Sequence, residues 1–213
     1  AGGLAVGVPG LLRMLELAHR DHGRLPWRSL FEPAIAHARG GFPVSPRLAR
    51  AIAGARGPNL NAPGRDLFYH PDGTPLAAGE SLHNPALAAT LTALAEGGAD
   101  ALYTGPIAAA IVEAVREAAN PGSLSEVDLA GYTAIRRAAI CASYRGNRIC
   151  GMPPPSSGGI ATLQILGLLE AFDVPSTVPM NPHAVHWLIE ASRLAFADRD
   201  LYVADPDVVA GPT

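Results

Sequence analysis

The residues best placed for chemistry lie in the segment 151–159, which reads Gly-Met-Pro-Pro-Pro-Ser-Ser-Gly-Gly. An alternating run precedes it and an apolar run follows it, so we expect a junction between a strand and a helix. Ser156 or Ser157 is expected to cap that helix, because a hydroxyl accepts hydrogen bonds from N–H groups of a first helical turn. Gly158 and Gly159 suit a close approach to the backbone, either by a neighbouring strand or by a ligand anion at the helix N-terminus. We favour the strand, since glycine at a junction usually serves packing, and keep these four residues as candidate substrate-binding residues.

Histidines near the C-terminal end are the next candidates, as metal ligands. His183, His186 and Glu190 fall at i, i+3 and i+7 on one side of a predicted helix. This is not the His-Glu-x-x-His spacing that places two imidazoles one turn apart with a base between them. We therefore expect a solvated or interface face there, and the same for His19 and His22, and no metal site.

Aspartates gather where the last predicted helix ends: Asp198, Asp200, Asp205 and Asp207. Acids at a helix C-terminus oppose the helix dipole and need compensation, which Arg193 and Arg199 can supply. We expect a structural charge lattice rather than a general acid/base pair. The twelve-residue ligand loop of a calcium site is missing from this stretch.

Known nucleophile and nucleotide motifs do not occur in the chain. The two serines lack a Gly-x-Ser-x-Gly elbow, nothing in the sequence pairs a histidine with a nucleophile, and neither phosphate-binding glycine motif is present. Cys141 and Cys150 lie on opposite arms of a predicted hairpin. We expect two reduced core thiols rather than a cross-strand bridge, because two cysteines do not make a disulfide framework. Taken alone, these residues predict no catalytic set and no cofactor.

Composition narrows the class of protein. With 213 residues, 48% hydrophobic and 16% charged, the chain can form a sizeable core. A net charge of −3 and a pI of about 6.2 argue against a nucleic-acid or anionic-membrane surface. No apolar run approaches the roughly 20 residues of a bilayer span, and no signal-peptide pattern is visible at the start. Twenty prolines and 23 glycines, spread along the chain, predict many short helices joined by stiff loops.

The elements that must position these residues follow from local signals. Ser45-Pro46 and Asn84-Pro85 each read as a capping residue followed by proline at the first helical position. Ser125 with Asp128 three residues on resembles a capping box. We predict a long loop at 57–80 with a short β-ribbon, a hairpin at about 135–152 turning at 144–147, a buried helix at 160–172 and a last helix at 183–202. The fold class is α+β and mostly helical, and we expect residues 1–213 to form a single domain.

Four stretches keep a common order along nearly the whole chain. They are Val8-Pro9-Gly10 with Gly23-x-x-Pro26-Trp27, Asp128-Leu-x-x-Tyr132 before Tyr144-Arg145-Gly146, Met152-Pro-Pro-Pro-Ser-Ser-Gly-Gly159 followed by Leu163 to Leu166, and Phe196-Ala-Asp-Arg-x-x-Tyr202 before Asp205-Pro-Asp-Val208. Together they resemble the large subunit of the γ-glutamyltranspeptidase family of N-terminal nucleophile hydrolases.

The resemblance implies an αββα sandwich built from one self-cleaving precursor. The nucleophile would be the N-terminal Thr of a small subunit, with its own amine as base. Thr213 does not match that residue, and the arginine that grips the substrate α-carboxylate would lie upstream of Ala1. We therefore expect the middle and C-terminal part of a large subunit, with no family catalytic residue in it and with the small subunit as its partner. Relatives are often periplasmic or secreted, which assigns no compartment to this chain.

Three functions remain open from the sequence. The parent enzyme would cleave or transfer γ-glutamyl groups of glutathione and related amides, and the isolated chain would be inactive. A cephalosporin or glutaryl acylase of the same superfamily would share the motifs. A stand-alone helical binding module would have a complete core, whereas a fragment would expose apolar surface and would bind dye or self-associate.

Overall fold

The fold is given by a computed structural model that describes residues 2–55, 62–173 and 181–209. It divides into two compact units, Ala1–Ala134 and Ile135–Thr213. The first unit contains α1 (Leu11–His22), α2 (Glu32–Gly40), β1 (Phe42–Pro43), α3 (Pro46–Gly54), α4 (Ala62–Phe68), β2 (Ser81–Leu82), α5 (Pro85–Gly97), α6 (Asp100–Tyr103), α7 (Gly105–Arg116) and α8 (Glu126–Ala130). The second contains β3 (Ile140–Tyr144), β4 (Asn147–Gly151), α9 (Gly158–Leu169) and α10 (Pro182–Tyr202). The predicted α+β, mostly helical class is confirmed.

Helix starts in the first unit follow the local signals. The Ser45 hydroxyl accepts from the Leu48 N–H at 3.1 Å, and the Asn84 amide oxygen accepts from the Leu87 N–H at 2.9 Å. Proline occupies the first turn after each cap, where its missing N–H costs no intrahelical bond. The local signals at 45–46 and 84–85 were therefore sufficient to place α3 and α5.

The larger core of the first unit surrounds Tyr103, which is fully buried. It comprises Ala99, Tyr103, Ala108, Val112, Val115, Leu124 and Leu129. The Tyr103 hydroxyl donates to the Pro9 carbonyl, and the Arg13 guanidinium lies 4.4 Å from the ring centroid. Arg13 also pairs with Asp100 at 2.5 Å. Burial raises the pKa of Tyr103, so the phenol stays protonated and keeps its donor role.

The predicted long loop at 57–80 is wrong in part. Residues 62–68 form α4, because proline is compatible with a first helical turn and Leu67 and Phe68 pack against the cluster of Val44, Ile52 and Leu82. The predicted ribbon reduces to a single bridge between Tyr69 and Pro75. Residues 57–61 of that prediction lie outside the described residues.

The hairpin of the second unit is shorter than predicted. Its strands pair from Ile140 with Gly151 to Tyr144 with Asn147, and residues 135–139 form no strand. Arg145 and Gly146 have φ of 49° and 77°, which is the left-handed turn that a two-residue hairpin loop requires. The predicted turn at 144–147 is therefore confirmed.

Helix α9 packs between the hairpin and α10. Ala161, Ala191 and Ala195 are buried along α9 and α10, where small side chains let helices approach closely. Of the twelve residues of α9, six are half-buried, three are buried and three are exposed, so the helix is less buried than predicted. No helix in the described ranges is both long and apolar enough to cross a membrane.

Candidate functional site

The segment 151–159 is the predicted junction between a strand and a helix. Strand β4 ends at Gly151, a loop with a cis Pro154-Pro155 bond follows, and α9 begins at Gly158. Pro153 is buried, and its carbonyl accepts from the Ser156 N–H at 3.2 Å. The junction is therefore a packed turn that fixes where α9 starts.

Gly159 packs directly against the backbone at the end of β4. A Cβ on Gly159 would lie 2.2 Å from the Met152 carbonyl oxygen, and a Cβ on Gly151 would lie 2.6 Å from the Gly159 Cα. Gly158 has room, since its Cβ would meet only the Ser156 hydroxyl oxygen at 3.9 Å. Close packing of strand on helix, the interpretation favoured from the sequence, accounts for Gly159. Substrate binding by these residues stays a prediction.

Ser157 occupies the N-cap position but does not cap α9 with its side chain, contrary to our expectation. Its φ and ψ of −83° and −16° are helical, whereas a capping hydroxyl needs an extended N-cap residue. The Ser157 hydroxyl oxygen instead accepts from Arg199 Nε at 2.9 Å. This bond ties the junction to α10 across 42 residues of sequence, so no local pattern could have indicated it.

Two of the four aspartates form ion pairs, with partners that differ in part from those predicted. Asp200 pairs with Arg199 at 2.8 Å and Asp207 with Arg137 at 2.7 Å, while Asp198 accepts from the Gln164 side chain. Arg193 was predicted to compensate these acids. It pairs with Glu190 at 2.6 Å instead, because the two residues lie one turn apart on α10.

The histidine face, predicted to be solvated or to form an interface, lies on the first turns of α10, where His183 and His186 are exposed. Glu190 is held by Arg193, and the His183 ring lies 6.4 Å from the Trp187 ring. In the described ranges no three His, Cys, Asp or Glu residues gather as metal ligands would.

One hydroxyl–imidazole pair was not predicted from the sequence. Ser81 Oγ lies 3.0 Å from His83 Nε2, and His83 Nδ1 lies 3.4 Å from the Arg39 carbonyl oxygen. Both side chains are near the end of α2, where the Asn84 N–H also bonds the Ala38 carbonyl. The imidazole therefore bridges β2 and α2, and its second nitrogen faces a backbone carbonyl where a catalytic triad would place a carboxylate.

The expectation of two reduced core thiols is wrong. Cys141 and Cys150 form a disulfide, and both are exposed. They are direct cross-strand partners with Cα atoms 4.1 Å apart, so the hairpin register itself brings the sulfur atoms together. A cavity of about 320 Å³ lies between β4 and the start of α9 and is lined by Cys150, Gly158, Gly159 and Thr162 among others.

Known proteins match this chain over nearly its whole length. A family model described as Gamma-glutamyltranspeptidase matches residues 1–213. The chain belongs to the γ-glutamyltranspeptidase family. It is 40% identical over 211 residues to the acylase ACY 1 proenzyme of Pseudomonas sp. (strain SE83), covering 99% of this chain and 38% of that protein. It is 37% identical over 210 residues to the glutathione hydrolase proenzyme of Escherichia coli (strain K12), covering 98% and 36%.

Solved structures of the family superimpose closely on this chain. The γ-glutamyltranspeptidase of Helicobacter pylori gives a TM-score of 0.89 at 32% identity, over 99% of this chain and 60% of that one. A cephalosporin acylase from Bacillus halodurans gives 0.83 at 29% identity, over 97% and 39%. The chain thus spans between 36% and 38% of the two curated relatives above, and the family includes both hydrolases and acylases.

Proposed function

We propose that this chain is the middle and C-terminal part of the large subunit of an enzyme that cleaves or transfers γ-glutamyl groups of glutathione and related amides. The observation that carries the proposal is the superposition on the Helicobacter pylori γ-glutamyltranspeptidase, with a TM-score of 0.89 over 99% of this chain. The proposal includes the αββα sandwich, to which the β3–β4 hairpin and the helices α9 and α10 would contribute.

The chemistry of the proposed enzyme lies on a partner polypeptide. An N-terminal threonine with its own amine as general base would form the acyl-enzyme. In this chain the junction from Ser156 to Gly159 would form part of the wall behind the substrate, held in place by Arg199 and β4. In this proposal residues 1–213 form a single domain with a structural role in a heterodimer.

Exposed apolar side chains on α10 support the proposal that a partner polypeptide covers this helix. On α10, Leu188, Ile189, Leu194, Phe196 and Leu201 are between 49% and 75% exposed. Side chains of this size rarely line one helix in contact with water unless another protein surface covers them. In the proposed heterodimer the small subunit of the same precursor covers them.

Turnover of a γ-glutamyl anilide tests the proposal. The isolated chain should release no aniline, whereas the parent polypeptide, expressed with its natural flanking segments, should cleave itself and turn the substrate over. Turnover by the isolated chain would place the chemistry on these residues and overturn the proposal. A parent that neither cleaves itself nor releases aniline would contradict the assigned activity.

A second activity is favoured by one observation. The acylase ACY 1 proenzyme matches at 40% identity and the glutathione hydrolase proenzyme at 37%, so a glutaryl or cephalosporin acylase is the competing assignment. Comparing kcat/KM of the parent enzyme for a γ-glutamyl anilide and for a glutaryl cephalosporin decides between them. A larger value for the glutaryl substrate would replace the first assignment by the second.

A further inference from the structure

A groove between α2 and α5 in the first unit contains a cavity of about 300 Å³. The Asn84 N–H, just before α5, donates to the Ala38 carbonyl near the end of α2 at 2.8 Å. The Trp27 indole, just before α2, donates to the Leu94 carbonyl near the end of α5 at 2.9 Å. The two helices are therefore antiparallel, and a hydrogen bond fixes each end of the groove. A cavity of this volume lies at the lower end of the range of small-molecule sites.

The middle of the groove is uncharged. Ile35 and Ala36 line it from α2, and Ala95, which is buried, lines it from α5. Thr92 also lines it, but its hydroxyl donates to the Ala88 carbonyl of its own helix at 2.7 Å. A ligand in this part of the groove therefore gains van der Waals contact with small and aliphatic side chains.

The two ends of the groove carry opposite charges. Glu32 lies in the first turn of α2 and Arg39 in its last turn, and both line the cavity. Seven residues of helix separate their Cα atoms by about 10 Å along the axis. In the described ranges neither side chain forms an ion pair. Glu96 of α5 lies at the Glu32 end and is paired with Arg28 at 3.8 Å, so those two charges offset each other.

These charges favour a groove that stays in contact with water. Glu32 and Arg39 are both exposed. A second polypeptide that covered them would have to provide a partner for each, because an unpaired charge is costly to bury. The fully buried core of a protein interface is also depleted in charged residues, glutamate among them. The groove thus differs from the apolar face of α10 and suits a small polar ligand.

We propose that this groove binds short peptides with two free termini, with the ammonium group at Glu32 and the carboxylate at Arg39. An extended peptide of two or three residues spans at most about 7 to 11 Å, which matches the separation of these two positions along α2. The side chains of the peptide lie on the uncharged middle of the groove. Exposed ion pairs contribute little, so we expect a dissociation constant in the millimolar range. The proposal concerns binding alone and does not depend on the proposed function.

Titration of the isotope-labelled chain with alanylalanine, followed by NMR, tests the proposal. Backbone amide signals around Ile35 on α2 and Ala95 on α5 should shift and should saturate at millimolar peptide. Acetylation of the peptide removes its ammonium charge, and amidation removes its carboxylate. Either change should weaken binding about two- to fivefold, as expected for the loss of one exposed ion pair.

Charge variants assign each peptide terminus to one side chain. Arg39→Gln should weaken binding of alanylalanine and of its acetylated form about two- to fivefold, without weakening the amidated form. Glu32→Gln should weaken binding of alanylalanine and of the amidated form by a similar factor, without weakening the acetylated form. Arg47→Gln on α3 and Glu113→Gln on α7 remove the same charges from exposed positions and should change none of the affinities. Circular dichroism checks that each variant is folded.

Three results would overturn the proposal. The first is a titration in which the signals of α2 and α5 do not shift and saturate. The second is equal affinity for the free and the blocked peptides, since charge would then play no part. The third is a parent polypeptide that shows no binding by calorimetry, because the groove would be covered there. None of these measurements involves turnover, so a parent enzyme without γ-glutamyl activity refutes the proposed function and leaves the peptide-binding result standing.

Discussion

At the residue scale, Gly159 is the position of the junction that tolerates change least. Gly159→Ala would bring a methyl group within 2.2 Å of the Met152 carbonyl oxygen, and backbone on both sides of the contact would have to move. Overpacking of this kind costs about 1–3 kcal/mol. We expect the free energy of unfolding in urea to fall by that amount, without a change in the secondary structure seen by circular dichroism.

Two glycines of the same helix provide matched controls. Gly158→Ala would meet its nearest atom at 3.9 Å, and Gly167→Ala would meet nothing within 4 Å. Both remove a flexible residue from α9 and should stabilise the chain by about 0.5–1 kcal/mol. If Gly158→Ala and Gly159→Ala destabilised equally, the cost would come from the helix start and not from contact with β4.

Ser157 and Arg199 form the second prediction at this scale. Their hydrogen bond of 2.9 Å is partly buried, and a bond of this kind contributes about 0.5–1.5 kcal/mol. Ser157→Ala and Arg199→Gln should therefore each destabilise the chain, and the double variant should lose less than the sum. A double-mutant cycle from urea unfolding measures the coupling.

The same cycle contains its own controls. Ser157→Thr keeps the hydroxyl and should recover the stability, while Ser156→Ala removes a hydroxyl from an exposed neighbour and should have little effect. A coupling energy of zero would show that Ser157 and Arg199 act independently, with Arg199 contributing only through its contacts within α10, to Asp200 and the Phe196 ring.

At the scale of elements, α8 depends on its capping box. The Asp128 carboxylate accepts from the Ser125 N–H at 2.9 Å and from the Ser125 hydroxyl, and these bonds hold the pKa of Asp128 below its usual range. A depressed pKa means that the contribution to stability is present above the pKa of an unfolded aspartate. It is lost as the pH falls through the lower, folded value.

The prediction for α8 is therefore a difference in acid stability. Asp128→Asn should be less stable than the parent chain at neutral pH, and the gap should close in strongly acidic solution, where the carboxylate is protonated in both states. Thermal unfolding followed between neutral and acidic pH measures the gap. A gap for Asp128→Asn that is independent of pH would contradict the capping role.

Sequence predicted those elements whose signals are local. The caps at Ser45, Asn84 and Ser125 each bond an N–H three residues on, so a window of four residues contains the whole signal. Helix α4 was missed because Pro63 and Gly64 resemble a loop, while the contacts of Leu67 and Phe68 with a distant cluster decide the outcome. Tertiary packing overrides local propensity at such positions.

The features of the candidate site also differ in whether a local sequence signal predicts them. The glycines at 158 and 159 could be assigned to a junction from the sequence alone, because proline and glycine restrict the backbone locally. The bond from Arg199 to Ser157 and the disulfide depend on which elements meet and in which register. The cysteines were misassigned because their exposure follows from the packing of α9 on the opposite face of the hairpin.

At the scale of the whole molecule, the exposed side chains of α10 lead to the last prediction. Leu188→Gln with Leu201→Gln replaces side chains that are 49% and 75% exposed, so the folded chain should lose at most about 0.5 kcal/mol for each change. The isolated chain should bind a hydrophobic fluorescent dye and sediment faster as its concentration rises, and the double variant should show less of both effects.

In the parent polypeptide the same variant should weaken retention of the small subunit after self-cleavage, because the proposed heterodimer buries these positions. Ala195→Ser, at a fully buried position between helices, should lower stability and leave dye binding per folded molecule unchanged. If the double variant retained the small subunit as well as the parent enzyme does, α10 would not be the covered surface, and the partner would have to bind elsewhere on the chain.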